Sequence, residues 1–198
     1  MTQDKAARAA AALADALASS TNSGDPAPVP TKQKQDREPD PRDVARQIVL
    51  RQLAMAPRSR AQLEQKLAQR DCPAVVAAAV LDRMSEVGLV DDEAYALMLV
   101  RSQQAGRGLA KGALARELRT NGINDELAQQ ALASISEADE CDRARALVDK
   151  KLRAMHGLGI EVQTRRLAGM LARKGYSPSL TYAVIRDAIA DAPEHLPD

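Results

Sequence analysis

A pair of leucines four residues apart recurs three times along this chain at almost constant spacing. The pairs are Leu63 and Leu67, Leu114 and Leu118, and Leu167 and Leu171. The first leucines of successive pairs are 51 residues apart (63 to 114) and 53 residues apart (114 to 167). Such a period is typical of stacked supersecondary units, each burying its apolar face against its neighbours. We therefore expect tandem copies of one small unit.

Each leucine pair is followed by a turn signal. The dipeptides Asp71-Cys72, Gly122-Ile123 and Gly175-Tyr176 occupy equivalent positions in the three copies. Glycine can end a helix in the left-handed backbone conformation without a Cβ penalty. Aspartate tolerates that conformation at a cost of roughly 1 kcal/mol. We expect the same turn at Asp71, with slight strain.

The apolar composition favours helices. Apolar residues make up 45% of the 198, yet Phe and Trp are absent and Tyr occurs three times. The core must be built mainly from Leu, Ala, Val and Ile, whereas strands prefer β-branched and aromatic residues. The predicted fold class is all-α, an elongated array of three tandem three-helix repeats resembling helix-turn-helix units, with a disordered N-terminal extension.

Local signals place the helices of the first repeat. Asp40 before Pro41 predicts the start of a helix that must end before Pro57. Ser59 and Gln62 form a capping-box pattern that starts the second helix.

Other boundaries and core positions are predicted in the same way. Pro73 is expected at the first position of the third helix, whose apolar stripe includes Val87. In the second repeat Met98 is expected on the apolar stripe of the first helix. The third repeat is expected to begin at about Asp139, with Tyr182 on the apolar stripe of its last helix.

These signals divide the chain into five segments. They are a disordered or frayed Ala-rich extension with a Pro/Ser linker at 1–40, repeat 1 at 41–90, repeat 2 at 91–137, repeat 3 at 138–191, and a disordered tail at 192–198.

Several classes of protein are not favoured. Cys72 and Cys141 have no metal-ligand spacing and suit a reducing compartment. No apolar run is long enough to cross a bilayer, so a soluble cytoplasmic protein is expected. His156 and His195 have no evident catalytic partner. We therefore expect neither an enzyme nor a metal or cofactor site.

The stretch from Gly106 to Gly112 superficially resembles a phosphate-cradling loop. It follows a predicted helix and lacks the Gly-Lys-Ser/Thr ending that holds phosphates and magnesium. We interpret it as a flexible basic connector.

Charge alternates in blocks along the repeats, although the whole chain carries a formal charge of only +1. Residues 101–122 hold five basic residues and one acidic residue, and residues 143–176 hold nine basic and two acidic. Residues 124–142 hold six acids and no base.

The two basic clusters, at 101–122 and 143–176, are suited to binding phosphates or acidic proteins, with an affinity that falls as the salt concentration rises. Individually, each basic residue could equally be an ordinary solvated surface residue. With so few aromatic residues, any nucleic-acid contact is expected at the backbone.

Three groups of basic residues are candidate binding residues. They are Arg107, Lys111, Arg116 and Arg119 in the second repeat, Lys150, Lys151, Arg153, Arg165, Arg166, Arg173 and Lys174 in the third, and Arg58, Arg60, Lys66 and Arg70 in the first.

The motifs taken together resemble the RecX family of regulators, over about residues 42–190. The resemblance lies in 45–53, Pro57-Arg58-Ser59-Arg60, Leu63, Lys66-Leu67, Gly88-Leu89-Val90-Asp91-Asp92-Glu93, Tyr95, Arg101, Gly106-Arg107-Gly108, 114–118, Asn121-Gly122-Ile123 and Lys174-Gly175-Tyr176. Asp71-Cys72 departs from the glycine and aromatic that the family usually shows there.

The resemblance implies a fold of three-helix repeats that binds the RecA nucleoprotein filament along its groove. It implies suppression of ATP hydrolysis, strand exchange and repressor cleavage, and hence modulation of recombination, DNA repair and the SOS response. It also implies weak, non-specific contact with the DNA phosphate backbone. We expect a monomer with no membrane partner, inhibiting by steric and conformational means.

Two other functions fit the same pattern. One is a helix-turn-helix-like regulator that binds DNA without RecA. However, Ser177 to Tyr182, at the start of the last helix, offers no Arg or Asn to read a base. The other is a helical scaffold that binds a protein and no DNA, which would bind without salt sensitivity.

Overall fold

The computed structural model describes residues 40–191, and all regular secondary structure in that range is helical. The α-helices are α1 (Pro41–Met55), α2 (Arg60–Ala68), α3 (Ala74–Glu86), α4 (Asp92–Arg107), α5 (Lys111–Thr120), α6 (Asp125–Ala133), α7 (Glu137–Leu152), α8 (Ile160–Arg173) and α9 (Pro178–Ala190), with a 3-10 turn at Arg153–Met155. The predicted disordered extension and tail lie outside these residues, apart from Asp40. The all-helical prediction is confirmed.

The helices belong to two compact units divided at Asp91. The first unit holds α1 to α3, which pack around Val49, Leu63, Leu67 and Leu81. The second unit holds α4 to α9, with one apolar cluster in each of the second and third repeats.

Predicted caps fix the helix starts of the first repeat. The Asp40 carboxylate accepts a 2.9 Å hydrogen bond from the Arg42 backbone N–H, with Pro41 directly after the cap. Ser59 and Gln62 form both hydrogen bonds of the capping box. Pro73 is the N-cap of α3, one residue before the position that was predicted for it in the helix.

The three equivalent turns share one hydrogen bond. The backbone N–H groups of Cys72, Ile123 and Tyr176 donate to the carbonyl oxygens of the second leucine of each pair, at 3.1, 3.1 and 3.2 Å. The residues before them are left-handed, with φ of 56° at Asp71, 76° at Gly122 and 85° at Gly175. The turn predicted at Asp71 is therefore confirmed.

Burial supports the repeat register but corrects some core positions. All six paired leucines are at most 1% exposed. Val87, Met98 and Tyr182 were predicted on apolar stripes, yet they are 44%, 38% and 60% exposed. Val87 directly follows α3 as its C-cap, and Met98 and Tyr182 lie within α4 and α9, so the buried stripes are narrower than the sequence predicts.

The first helix of the third repeat, α7, starts at Glu137, slightly before its predicted start at about Asp139. The Ser136 hydroxyl accepts from the Asp139 N–H, and the Asp139 carboxylate accepts from the Ser136 N–H. Hydrogen bonding to the Asp139 carboxylate from the Ser136 side chain, and secondly from the Ser136 backbone N–H, lowers the pKa of Asp139. Asp139 is thus the third residue of the helix, not its start.

Candidate anion-binding surface

The predicted basic residues of the first repeat are already partly neutralised. The Arg60 guanidinium contacts Asp82 at 2.7 Å and Glu64 at 3.1 Å, and the hydrogen bond with Asp82 is the main cause of its raised pKa. Arg58 Nε is buried without a hydrogen-bond partner among the described residues, while Arg70 is exposed and Lys66 half-buried. This unit offers weaker attraction for an anion than its sequence suggests.

The second repeat presents Arg116 and Arg119 on α5, both exposed. Arg119 lies 3.4 Å from Asp125, so one acid of the 124–142 block already pairs with a predicted binding residue. Exposed pairs of this kind contribute little, about 0–1 kcal/mol, and a stronger anion can displace them. Arg116 and Arg119 remain available at the surface.

The stretch from Gly106 to Gly112 packs against the third repeat. Leu109 and Ala110 are only 5% and 1% exposed. The Ala110 N–H donates to the Lys174 carbonyl at 2.9 Å, and the Lys111 N–H donates to the Glu140 carboxylate at 2.8 Å. The prediction of a flexible connector is therefore wrong, because these residues tie the two repeats together.

Side chains of the third repeat add two further bonds to this connector. The Lys174 ammonium group donates to the Arg107 carbonyl. The Tyr176 hydroxyl donates to the Gly108 carbonyl at 3.2 Å. Burial, and secondarily the charge of Glu140, raises the pKa of Tyr176, which keeps the hydroxyl protonated as a donor.

Two glycines allow the backbones of the two repeats to touch. A Cβ on Gly112 would lie 2.7 Å from the Gly175 carbonyl oxygen, and a Cβ on Gly175 would lie 2.3 Å from the Ala113 nitrogen. Real Cβ atoms do not approach backbone this closely. Glycine is therefore required at this junction, for the close approach at both positions and also for the positive φ at Gly175.

A groove of about 800 Å³ lies over this junction between α4, α7 and α8. Its lining includes five basic residues: Arg107, Arg143, Lys150, Arg173 and Lys174. Four of these were predicted from the sequence, and the fold brings them together from two repeats. The remaining predicted residues of this unit (Lys111, Arg116, Arg119, Lys151, Arg153, Arg165 and Arg166) do not line the groove.

Arg143 and Gln104 also line the groove but were not among the predicted binding residues. Arg143 is seven residues before Lys150, two helical turns away, and so lies on the same face of α7. That spacing is a signal that could have identified it. Gln104 carried no such signal, because only the packing of α4 against the third repeat places it at the groove.

Within residues 40–191 the acidic, cysteine and histidine side chains form no group of three that could hold a metal ion. None of the helices in this range is long and apolar enough to span a membrane.

Within residues 40–191 these features define a class of protein: helical three-helix repeats with a groove lined by basic residues between the second and third. Family models agree with this class, repeat by repeat. The models described as the first, second and third three-helix domains of RecX match residues 45–84, 91–132 and 137–185. The chain belongs to the RecX family of regulatory proteins.

Individual relatives support this membership. Regulatory protein RecX of Streptomyces coelicolor is 47% identical over 162 residues, covering 80% of this chain and 86% of the relative. Regulatory protein RecX of Thermobifida fusca is 49% identical over 145 residues, covering 73% and 78%. The crystal structure of RecX from Lactobacillus salivarius superposes with a TM-score of 0.69 at 19% identity, covering 75% of this chain and 97% of the other.

Proposed function

We propose that this chain binds the RecA nucleoprotein filament in the cytoplasm and inhibits its ATPase, strand-exchange and coprotease activities. It would thereby modulate recombination, DNA repair and the SOS response. The observation that carries the proposal is the match of all three RecX three-helix domains, in order, to this chain. The mechanism is steric and conformational, and the chain acts as a monomer that performs no chemistry.

The basic residues supply the attraction in this proposal. A filament of protein and DNA presents phosphates and acidic side chains. Clustered cations on this chain raise both the rate at which it meets the filament and its affinity for the filament. The residues proposed to contact RecA or DNA are the fifteen predicted ones named above. The first-repeat group contributes least, since Arg60 is held by two carboxylates.

A titration of the protein into RecA, single-stranded DNA and ATP tests the proposal directly. Hydrolysis should fall as the protein is added. Reversing Arg116 and Arg119 to glutamate should raise the concentration for half-inhibition about tenfold, equal to about 1.4 kcal/mol of lost binding. Both side chains are exposed on α5, so helical content measured by circular dichroism should be unchanged.

A matched control reverses Arg83 and Arg186, which are exposed, pair with a neighbour on their own helix and lie outside the proposed surface. This variant has the same net charge and should inhibit like the unmodified protein. An unaltered inhibition curve for the Arg116/Arg119 variant would remove those residues from the interface. Absence of inhibition by the unmodified protein would contradict the proposed function. Sequence-selective duplex binding without RecA would then indicate a DNA-binding regulator.

A further inference from the structure

The groove over the junction of the second and third repeats contains hydrogen-bond donors with no acceptor. The side-chain nitrogen atoms Gln104 Nε2 and Arg143 Nη1 are both buried from solvent. Neither atom has a hydrogen-bond partner among the described residues. A buried donor left unsatisfied carries a free-energy cost, because it has lost its hydrogen bonds to water. One of these donors comes from each repeat, and both residues line the same groove. A ligand that accepts hydrogen bonds there would remove this cost.

The charge around these donors indicates the sign of the ligand. Five basic residues line the groove, and no Asp or Glu is among the described residues that line it. Glu117 outside the lining pairs with Arg107 at 3.3 Å. Glu140, also outside the lining, already accepts a hydrogen bond from the Lys111 N–H. Its charge raises the pKa of Tyr176, whereas that of Arg143 lowers it. Lys150 and Arg173 are exposed and form no ion pair within residues 40–191, so the groove retains positive charge.

We infer that the second and third repeats together form one binding site for phosphate groups, with the half-buried Arg143 as its anchor, and that neither repeat has this site alone. A guanidinium fork matches phosphate oxygens bidentately. Five cations that line one groove suit a polymeric ligand with a negative charge on every monomer. No aromatic side chain lines the described part of the groove, so the contacts are to phosphates and not to stacked bases.

The phosphates could belong to a nucleic-acid backbone or to a free polyphosphate, and we favour the backbone. Gly106 is exposed, and a Cβ added there would meet nothing within 4 Å. The groove is open to solvent and not enclosed, so a polymer can lie along it and extend beyond it. This choice rests on the proposed function, in which the DNA of the filament supplies the backbone.

The test measures binding of a fluorescein-labelled oligothymidylate to the full chain by fluorescence anisotropy, over a series of salt concentrations and without RecA. The variant Lys150→Gln with Arg173→Gln should bind about tenfold more weakly. Its slope of log affinity against log salt should be shallower by about 1.4, because two fewer phosphates are neutralised at about 0.7 each. The control Arg83→Gln with Arg186→Gln loses the same charge at exposed positions outside the groove. It should change affinity by less than twofold.

A second variant, Arg143→Lys, tests the anchor. It keeps the positive charge but loses the guanidinium fork. Affinity should fall about fivefold while the slope of log affinity against log salt stays unchanged, and thermal melting should confirm that the variant is folded.

Inorganic tripolyphosphate distinguishes the two sources of phosphate. It is titrated as a competitor of the oligonucleotide and also directly by calorimetry. Tight binding at one site assigns the groove to free polyphosphate, whereas weak competition assigns it to a nucleic-acid backbone.

Three results would overturn the inference. They are an equal loss in the groove and control variants, no loss in either groove variant, or ready displacement of the oligonucleotide by a polyglutamate peptide. The ATPase titration separates this inference from the proposed function. Groove variants that still inhibit RecA but do not differ from the control in DNA binding would refute the phosphate site alone.

Discussion

Replacing Gly175 with alanine should lower the free energy of unfolding of the second unit by about 3 kcal/mol or more. The added Cβ would lie 2.3 Å from the Ala113 nitrogen and 2.9 Å from its Cα, so the backbones of the two repeats must separate. A non-glycine residue at the φ of 85° adds roughly 1–2 kcal/mol of strain. For a unit of about 100 residues the melting temperature should drop by roughly 12–24 °C, measured by circular dichroism.

Two further substitutions separate the causes of this loss. Gly157 has a φ of 76°, but a Cβ there would meet nothing within 4 Å. Gly157→Ala should therefore cost only the backbone strain, roughly 1–2 kcal/mol. Gly112→Ala introduces a Cβ 2.7 Å from the Gly175 carbonyl oxygen. It therefore tests the same close approach from the backbone of the second repeat. If Gly175→Ala lowered the free energy of unfolding no more than Gly157→Ala does, the inferred close approach of the two backbones at Gly175 would be contradicted.

The same junction connects stability to the candidate site. Ala110 donates to the Lys174 carbonyl, and the neighbouring Arg173 and Lys174 line the groove together with Arg107. A shift of one repeat against the other would change the spacing of cations from α4 and α8. The two glycines therefore position the groove as well as stabilise the unit.

The three-helix repeats could be predicted from the sequence because their signals are local. The capping box at Ser59 and Gln62 and the N-cap at Asp40 act within one helical turn. The left-handed turn at Asp71 follows from its place after Leu67. The paired leucines recur in register because each repeat must bury the same two side chains.

The exposure of individual apolar residues was harder to predict. Tyr182 follows the helical spacing of the buried side of α9, yet it is 60% exposed. Periodicity identifies a face of a helix but not how far the neighbouring helices cover it. The start of α7 differs from the predicted one for another reason: Ser136 is the N-cap, and the acids from Glu137 onward lie in the first turn of the helix.

The groove could be predicted only in part. Clustering in the sequence identified Lys150, Arg173 and Lys174, which lie on neighbouring helices of one repeat. The contribution of the second repeat depends on contacts between residues more than 60 positions apart, such as Tyr176 with Gly108. No local pattern reports such contacts. Gly108 and Gly112, in a stretch interpreted as a flexible connector, instead permit close packing.

Replacing Leu171 with alanine should cost about 2–5 kcal/mol, the range for truncating a fully buried leucine. Leu171 is 0% exposed in the core of the third repeat, beside Val148 and Ile185. Hydrogen exchange, measured peptide by peptide, should show faster exchange across α7 to α9. Ile160→Ala, at a residue 50% exposed on α8, is the matched control and should cost less than about 1 kcal/mol.

The equivalent leucines make this a test of the repeat itself. Leu67 and Leu118 are also 0% exposed, and each accepts the same turn hydrogen bond as Leu171. Alanine at either position should speed exchange first in its own repeat, because each leucine lies in a separate apolar cluster. Loss of protection confined to α8 for Leu171→Ala, or a cost no larger than that of Ile160→Ala, would show that the leucine pairs do not hold their repeats together. The period of the sequence would then lack the physical cause assigned to it.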